Sequence, residues 1–301
     1  MKPLATRKNN FYPYLLLFIQ PIFMASNIIV ARGGVEYVPP VSLAFWRWLT
    51  VFVILMPFFF DEIFRKKKQF KKESLKLFFL GLMGCGICGA FPFIAGMSTT
   101  MANMGIIYTS SPIFIIVLSV LFFGDKINLS RIIGLVLCLS GVLIIICKGD
   151  LTYLINFKFT SGDLWMLGAA VGWAVYSIFL INWKSSFSLM ARFTLIAFFG
   201  AISLFPFYLI EESYFFNTVF NNNFIFWVLF AAISPGIIAF TLYTKVQKYV
   251  GASLAGFTLY IFSIYSAVYG IILFDEMLLS FHYYGAALVF IGVYLARKIV
   301  R

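Results

Sequence analysis

Long apolar stretches separated by short polar segments dominate the chain. A membrane-spanning helix needs about 20 mostly apolar residues at roughly 1.5 Å rise each. By that measure the pattern predicts ten transmembrane helices, over 11–32, 40–60, 75–97, 103–123, 130–148, 162–182, 188–209, 223–244, 252–273 and 280–298. Polar breaks such as Asp61–Glu73, Gly124–Asn128 and Glu211–Asn223 divide them. The first apolar run follows Lys8 as a signal sequence would, but no convincing small-residue cleavage site comes after it. It therefore reads as an uncleaved first helix.

Composition removes the soluble alternative. Hydrophobic residues make up 62% of the 301 and charged residues 11%, against roughly 25% charged in a soluble domain. A net charge of +12 raises the question of nucleic acid, yet the densest run, Arg65-Lys66-Lys67-Lys68 with Lys71 and Lys72, lies between two apolar stretches. It lacks the aromatic-interleaved pattern of a base-stacking surface. It reads as a cytoplasmic loop that obeys the positive-inside bias, with contact to anionic lipid headgroups as the alternative, and no nucleic-acid partner is expected.

The basic residues also orient the chain. With the N-terminus cytoplasmic, 19 of the 23 Lys and Arg fall in cytoplasmic segments, and only Arg32, Lys148 and Lys158 in external ones. Ten spans return the C-terminus to the same side. The expected location is a bacterial inner membrane, multi-pass, with both termini cytoplasmic.

The two halves of the chain resemble each other. A shift of 151 residues brings Gly105 onto Gly256, Phe123 onto Phe274, Asp125 onto Glu276, Gly134 onto Gly285 and Gly141 onto Gly292 without a gap. Each half, 1–149 and 150–301, carries five predicted spans. Five is odd, so the second copy enters the membrane upside down. The expected fold is thus all-α and transmembrane: a ten-helix bundle of two inverted five-helix repeats, an arrangement that recurs in secondary transporters. The plainer reading of the duplication is that it only builds a bundle.

These features carry a resemblance to a family. Asp125 with Gly134 and Gly141, and Glu276 with Gly285 and Gly292, are similar to the ends of the two halves in the EamA-like drug/metabolite transporter superfamily. Ala25-Ser26-Asn27, Trp173-Ala174-Val175-Tyr176, and an Arg in the second helix of each half (Arg47 and Arg192) add to it. Asp125 departs from the commoner Glu. The resemblance covers nearly the whole chain and implies export or uptake of amino acids and related metabolites, without a defined substrate.

Several residues could carry such chemistry. Arg47 is the basic residue set well inside a predicted span, and a charge there costs at least about 2–3 kcal/mol unless paired, hydrated or snorkelling. It either borders a cavity and attracts a carboxylate, or is a structural charge near the outer interface. Gln20 and Asn27 project amides from the first span and should face other helices or a wet cavity, because unpaired amides in hydrocarbon are costly. Tyr108, Ser111 and Pro112 in the fourth span, and Tyr260, Ser263 and Tyr265 in the ninth, lie along one side of their helices. Trp173 and Tyr176 would complete an aromatic-lined chamber, with Trp46 beside Arg47. The expected substrate-binding set is Asn27, Trp46, Arg47, Tyr108, Ser111, Trp173, Tyr176, Tyr260 and Ser263.

Other motifs point to packing. Cys85 and Cys88 form a CxxC inside an apolar run, with no His nearby to suggest a metal. Gly84-Cys85-Gly86-Ile87-Cys88-Gly89 fits GxGxxG but lies mid-span, away from any aqueous phosphate. Gly168 and Gly172 form a GxxxG of the close-packing kind. His282 stands near the external end of the last span, so proton or counter-substrate coupling stays open. A membrane-embedded enzyme would need paired aspartates, HExxH, or Ser with His at depth, and none is visible. A non-transporting scaffold is disfavoured by the repeat. The expected partners are a small-molecule substrate, apolar or aromatic in character, and the lipid bilayer, with no cofactor and no metal.

Overall fold

The structure is a computed structural model that describes residues 12–99, 104, 107–125, 128–147, 150, 152, 160–274 and 279–296. Gly105 and Glu276 of the repeat pairs lie outside these residues, as does Lys8; so do the side chains of Arg32 and His282. Among the described residues the chain forms ten helices: α1 (Tyr12–Ile29), α2 (Pro40–Arg65), α3 (Lys67–Ala95), α4 (Ser111–Phe123), α5 (Leu129–Ile146), α6 (Ser161–Asn182), α7 (Leu189–Tyr214), α8 (Asn222–Ala252), α9 (Thr258–Phe274) and α10 (Ser280–Ala296). Each overlies one predicted span. Six of them, α1, α2, α3, α6, α7 and α8, are long and apolar enough to cross a bilayer, and Ser111–Phe123, Leu129–Ile144 and Tyr283–Leu295 are shorter apolar stretches. Helices are what such a sequence must form, since hydrocarbon offers the backbone no other hydrogen-bond partner.

Local chemistry sets the ends. Pro40 opens α2 where its missing N–H costs nothing. Thr160 and Asp163 form a capping box at the start of α6. Gly124, at φ 65°, turns the chain out of α4 in the left-handed conformation. The expected break over 61–73 is helical instead: α2 continues to Arg65, only Lys66 departs (φ −101°, ψ 28°), and α3 begins at Lys67. Lys and Glu are good helix formers and extend a helix beyond its apolar part readily.

Three reciprocal features relate the first five helices to the last five. Wide π-type turns occur at Leu82–Ile87 in α3 and Ile233–Ile238 in α8, separated by the same 151 residues as the sequence repeat. α2 and α7 run antiparallel, and each caps the other. At one end the buried Glu211 carboxylate of α7 accepts from Val41 N (3.0 Å), Ser42 N (2.6 Å) and Ser42 Oγ (2.8 Å) at the start of α2. At the other, Glu62 of α2 accepts from Ser188 N (2.7 Å) and Ser188 Oγ (2.5 Å), at the residue that caps α7. α5 and α10 also cross antiparallel on glycines. A Cβ on Gly141 would stand 2.5 Å from Gly285 O, and one on Gly292 would stand 2.6 Å from Gly134 O. Only glycine allows so close a backbone approach.

Candidate functional site

Polar groups of α1 find α8 rather than lipid. Gln20 Nε2 donates to Ala239 O at 3.4 Å, and Ser26 Oγ lies 2.8 Å from Ser234 Oγ in the wide turn. Asn27 Oδ1 accepts from Arg47 Nη1 at 2.8 Å, while Arg47 Nη2 donates to Pro235 O at 2.9 Å. The wide turn explains that acceptor, because a π-type turn leaves carbonyls outside the regular ladder. The guanidinium therefore bridges α1, α2 and α8.

Arg47 is 3% exposed, and magnitudes decide what holds it there. A buried charge in a span costs about 2.5–3.5 kcal/mol or more. Its two hydrogen bonds are worth roughly 1.5–3 kcal/mol each, and the guanidinium carbon sits 4.6 Å from the centre of the Trp48 ring, a contact of about 2 kcal/mol when desolvated. Neutral dipoles and a π-face thus compensate the charge, and no carboxylate among the described residues pairs with it. The charge is stabilised but not cancelled. Arg47 Nε and Trp48 Nε1 have no hydrogen-bond partner among the described residues.

Both residues line a small cavity of about 80 Å³. Asn27, Met24, Ile28 and Ala31 come from α1 and the turn after it; Cys88 and Pro92 from α3; Met104 and Tyr108 from the approach to α4; Met166 and Trp173 from α6; Pro235 and Phe240 from α8; and Phe262 from α9. One cation and one amide thus face walls that are otherwise mainly apolar, with three soft methionines that adapt to the shape of an occupant. The chemistry of the lining suits an anionic head on an apolar body. At about 80 Å³ the space is smaller than the roughly 150 Å³ that holds a benzene ring, so a larger solute needs the walls to part.

Four residues of the expected set, Asn27, Arg47, Tyr108 and Trp173, share this cavity. The others sit elsewhere. Trp46 projects against Phe45, Tyr208, Phe220 and Phe224, and its neighbour Trp48 is the one on the cavity. Ser111 turns its hydroxyl onto Tyr108 O at 2.7 Å, and Ser263 turns its own onto Leu259 O at 3.3 Å. Tyr260 is fully buried against Phe257, and Phe262 faces the cavity from the same helix. Tyr176 lines a second cavity farther along α6.

An aromatic layer separates the two spaces. Phe240 stands at its centre, with ring centroids 5.0 Å from Trp48, 5.4 Å from Trp173, 5.8 Å from Tyr176 and 5.7 Å from Phe193. Trp173 and Phe240 bound the first cavity, Tyr176 and Phe193 the second. The glycines at positions 84 and 89 give these rings their seats: a Cβ on Gly84 would meet Tyr176, and one on Gly89 would stand 2.5 Å from Trp48 Nε1. The GxGxxG spacing serves ring packing. Cys85 is buried and Cys88 half-buried, both as free thiols. Among the described residues no three His, Cys, Asp or Glu side chains gather as a metal would require.

Comparison with known proteins adds the decisive observation: the model of the EamA-like transporter family matches the chain twice, over residues 11–147 and 160–297. The chain belongs to the EamA-like transporter family. Relatives within reach of this EamA-like protein include an uncharacterized transporter of Archaeoglobus fulgidus, 26% identical across 94% of this chain and 96% of its own length. The uncharacterized transporter YyaM of Bacillus subtilis is 26% identical across 96% of this chain and 94% of its own length. A solved crystal structure superposes with a TM-score of 0.72 at 18% identity, covering 96% of this chain and 97% of the other, which is a likeness of fold. The EamA-like chain is a multi-pass membrane protein, and both its family and its relatives point to transport rather than catalysis.

Proposed function

We propose that this EamA-like protein is a secondary transporter that moves a small carboxylate-bearing metabolite, an amino acid or related compound with an apolar or aromatic body, across a bacterial inner membrane by alternating access. Its two halves, 1–149 and 150–301, are inverted five-helix repeats in this reading, and the substrate binds where they meet. Both termini are cytoplasmic. The double family match, the paired wide turns and the reciprocal caps support the inverted arrangement. The single observation that carries the reading is Arg47: a buried guanidinium, held only by neutral acceptors from α1 and α8, on an otherwise mainly apolar cavity built from both halves. Arg47 takes the carboxylate, Asn27 orients the guanidinium, and Tyr108, Trp173 and Phe262 pack the body. Exchange of one solute for another fits a site with a single uncancelled charge.

Counterflow in proteoliposomes tests this with labelled phenylalanine, leucine, 3-phenylpropionate, a nucleoside and a neutral alcohol. Saturable counterflow of an apolar carboxylate is expected, falling about ten- to a hundredfold in Arg47→Gln as a charge-assisted hydrogen-bond pair is lost. Counterflow that is unchanged by Arg47→Gln, or absent for every carboxylate in the panel, would refute it.

A further inference from the structure

The second cavity is larger, about 590 Å³, and lies beyond the aromatic layer among α6, α7 and α8. It repeats the chemistry of the first around Arg192. That residue sits four positions after Ser188 at the start of α7, as Arg47 sits five after Ser42 in α2. Its Nη1 donates to Leu180 O of α6 at 2.8 Å. Its Nε, like that of Arg47, is buried without a hydrogen-bond partner. Gln247, 1% exposed, donates from Nε2 to Ser177 O at 2.9 Å and leaves Oε1 unpartnered. Lys184 and Lys248 are exposed on the same cavity. The Glu73 carboxylate, which also acts electrostatically on Arg192, accepts from Ser185 Oγ (2.7 Å) and Ser186 N (2.9 Å). The space therefore combines a cationic end, a buried acceptor, and apolar walls that include Tyr176, Phe187 and Phe193.

We propose that this second cavity is a binding station for an amphipathic carboxylate, with Arg192 receiving the carboxylate and Gln247 Oε1 accepting from a neighbouring donor group, so that the transport path holds two arginine stations on opposite sides of one aromatic layer. The identity of the solute rests on the transport reading above; the station itself rests on Arg192 and Gln247. Lys184 and Lys248 raise the local concentration of anions at the entrance. An anionic lipid headgroup is the rival source of the same charge.

Binding stoichiometry decides it. The full chain in zwitterionic nanodiscs is titrated with labelled phenylalanine, whose ammonium supplies the donor for Gln247 Oε1, with phenylalaninol as the control that lacks the carboxylate. Wild type is expected to bind two equivalents of the amino acid and none of the alcohol at the same concentration. Arg192→Gln should lose one equivalent, its station weakening about ten- to a hundredfold, while the equivalent at Arg47 persists and reports an intact fold. Arg47→Gln should lose the other. If Arg192→Gln loses both through misfolding, Gln247→Leu replaces it and should selectively weaken one equivalent. Two full equivalents in Arg192→Gln or in a folded Gln247→Leu, or a single equivalent in wild type, overturns the proposal. So does loss of the second equivalent when phosphatidylglycerol is added to the nanodisc, which would make a lipid the occupant. Two equivalents retained by Arg47→Gln would instead sink the reading of the first cavity and leave this one standing.

Discussion

At the level of single residues, the polar exceptions within apolar helices carry the information. Arg47 and Asn27 stand out in the sequence because hydrocarbon makes an unexplained charge or amide expensive, and in the structure they meet each other at 2.8 Å. Trp46 and Trp48 could not be told apart. In a soluble helix the apolar stripe marks the buried face, but α2 is apolar all round: Val53 and Phe60 are 58% and 50% exposed, while Trp48 and Val51 are fully buried. Ser111 and Ser263 turn back onto their own backbone, as a helical hydroxyl can by satisfying itself on the preceding turn. Cys88 offers a native reporter. It lines the first cavity half-buried, whereas Cys85 and Cys138 are wholly enclosed. A small thiol reagent followed by peptide mass mapping should modify Cys88 faster than Cys85 or Cys138, and a carboxylate that fills the cavity should slow it. Equal rates at all three would argue that the cavity is closed to solutes.

Among the elements, the α2–α7 pair and the aromatic layer make the sharpest demands. Glu211 satisfies two backbone N–H groups and a hydroxyl of α2 in a buried setting. Glu211→Ala should therefore destabilise the protein by about 1–3 kcal/mol, the cost of a lost cap and orphaned donors. Glu62→Ala should cost less, since its bonds to Ser188 are exposed and water can replace the carboxylate. Thermal melts in detergent compare the two, and equal losses would contradict the difference in burial. Phe240→Ala removes the ring that touches Trp48, Trp173, Tyr176 and Phe193. It should join the two cavities, so that proteoliposomes lose sustained counterflow and leak preloaded solute faster; intact gradients would show that the layer is not the barrier. Ten helices were legible from apolar length alone. The helical continuation through 61–73 was not, because polarity ends a membrane span without ending a helix.

For the whole molecule, glycines matched in the sequence also meet in space. Gly134, Gly141, Gly285 and Gly292 are the contacts on which α5 and α10 cross. The reciprocal caps had no sequence signal, because nothing along the chain tells Glu211 from Glu212 or links either one to Ser42, 169 residues away. Orientation is testable at this scale. Lys66 Nζ donates to Ser186 O at 2.6 Å and Glu73 accepts from Ser185, so the basic segment and the α6–α7 turn share one end of the bundle. With that end cytoplasmic, single cysteines at Lys68 and Lys184 should resist a membrane-impermeant maleimide in intact cells, while one at Val219 should react. The reverse pattern would turn the molecule over.

The wide turn in α8 has one more consequence. A π-type turn holds one residue more than a regular turn, so tightening it to α geometry would rotate the downstream half of the helix by about 100° and shift it by roughly 1.5 Å. In this chain that slack lies at Ile233–Ile238, which contains the Pro235 carbonyl that accepts from Arg47 and is followed two residues later by the Phe240 ring that closes the layer. Tightening that turn would shift the Phe240 ring relative to the Arg47 contact. A helix with a spare residue is a ratchet tooth, and here it stands between the charge and the plug.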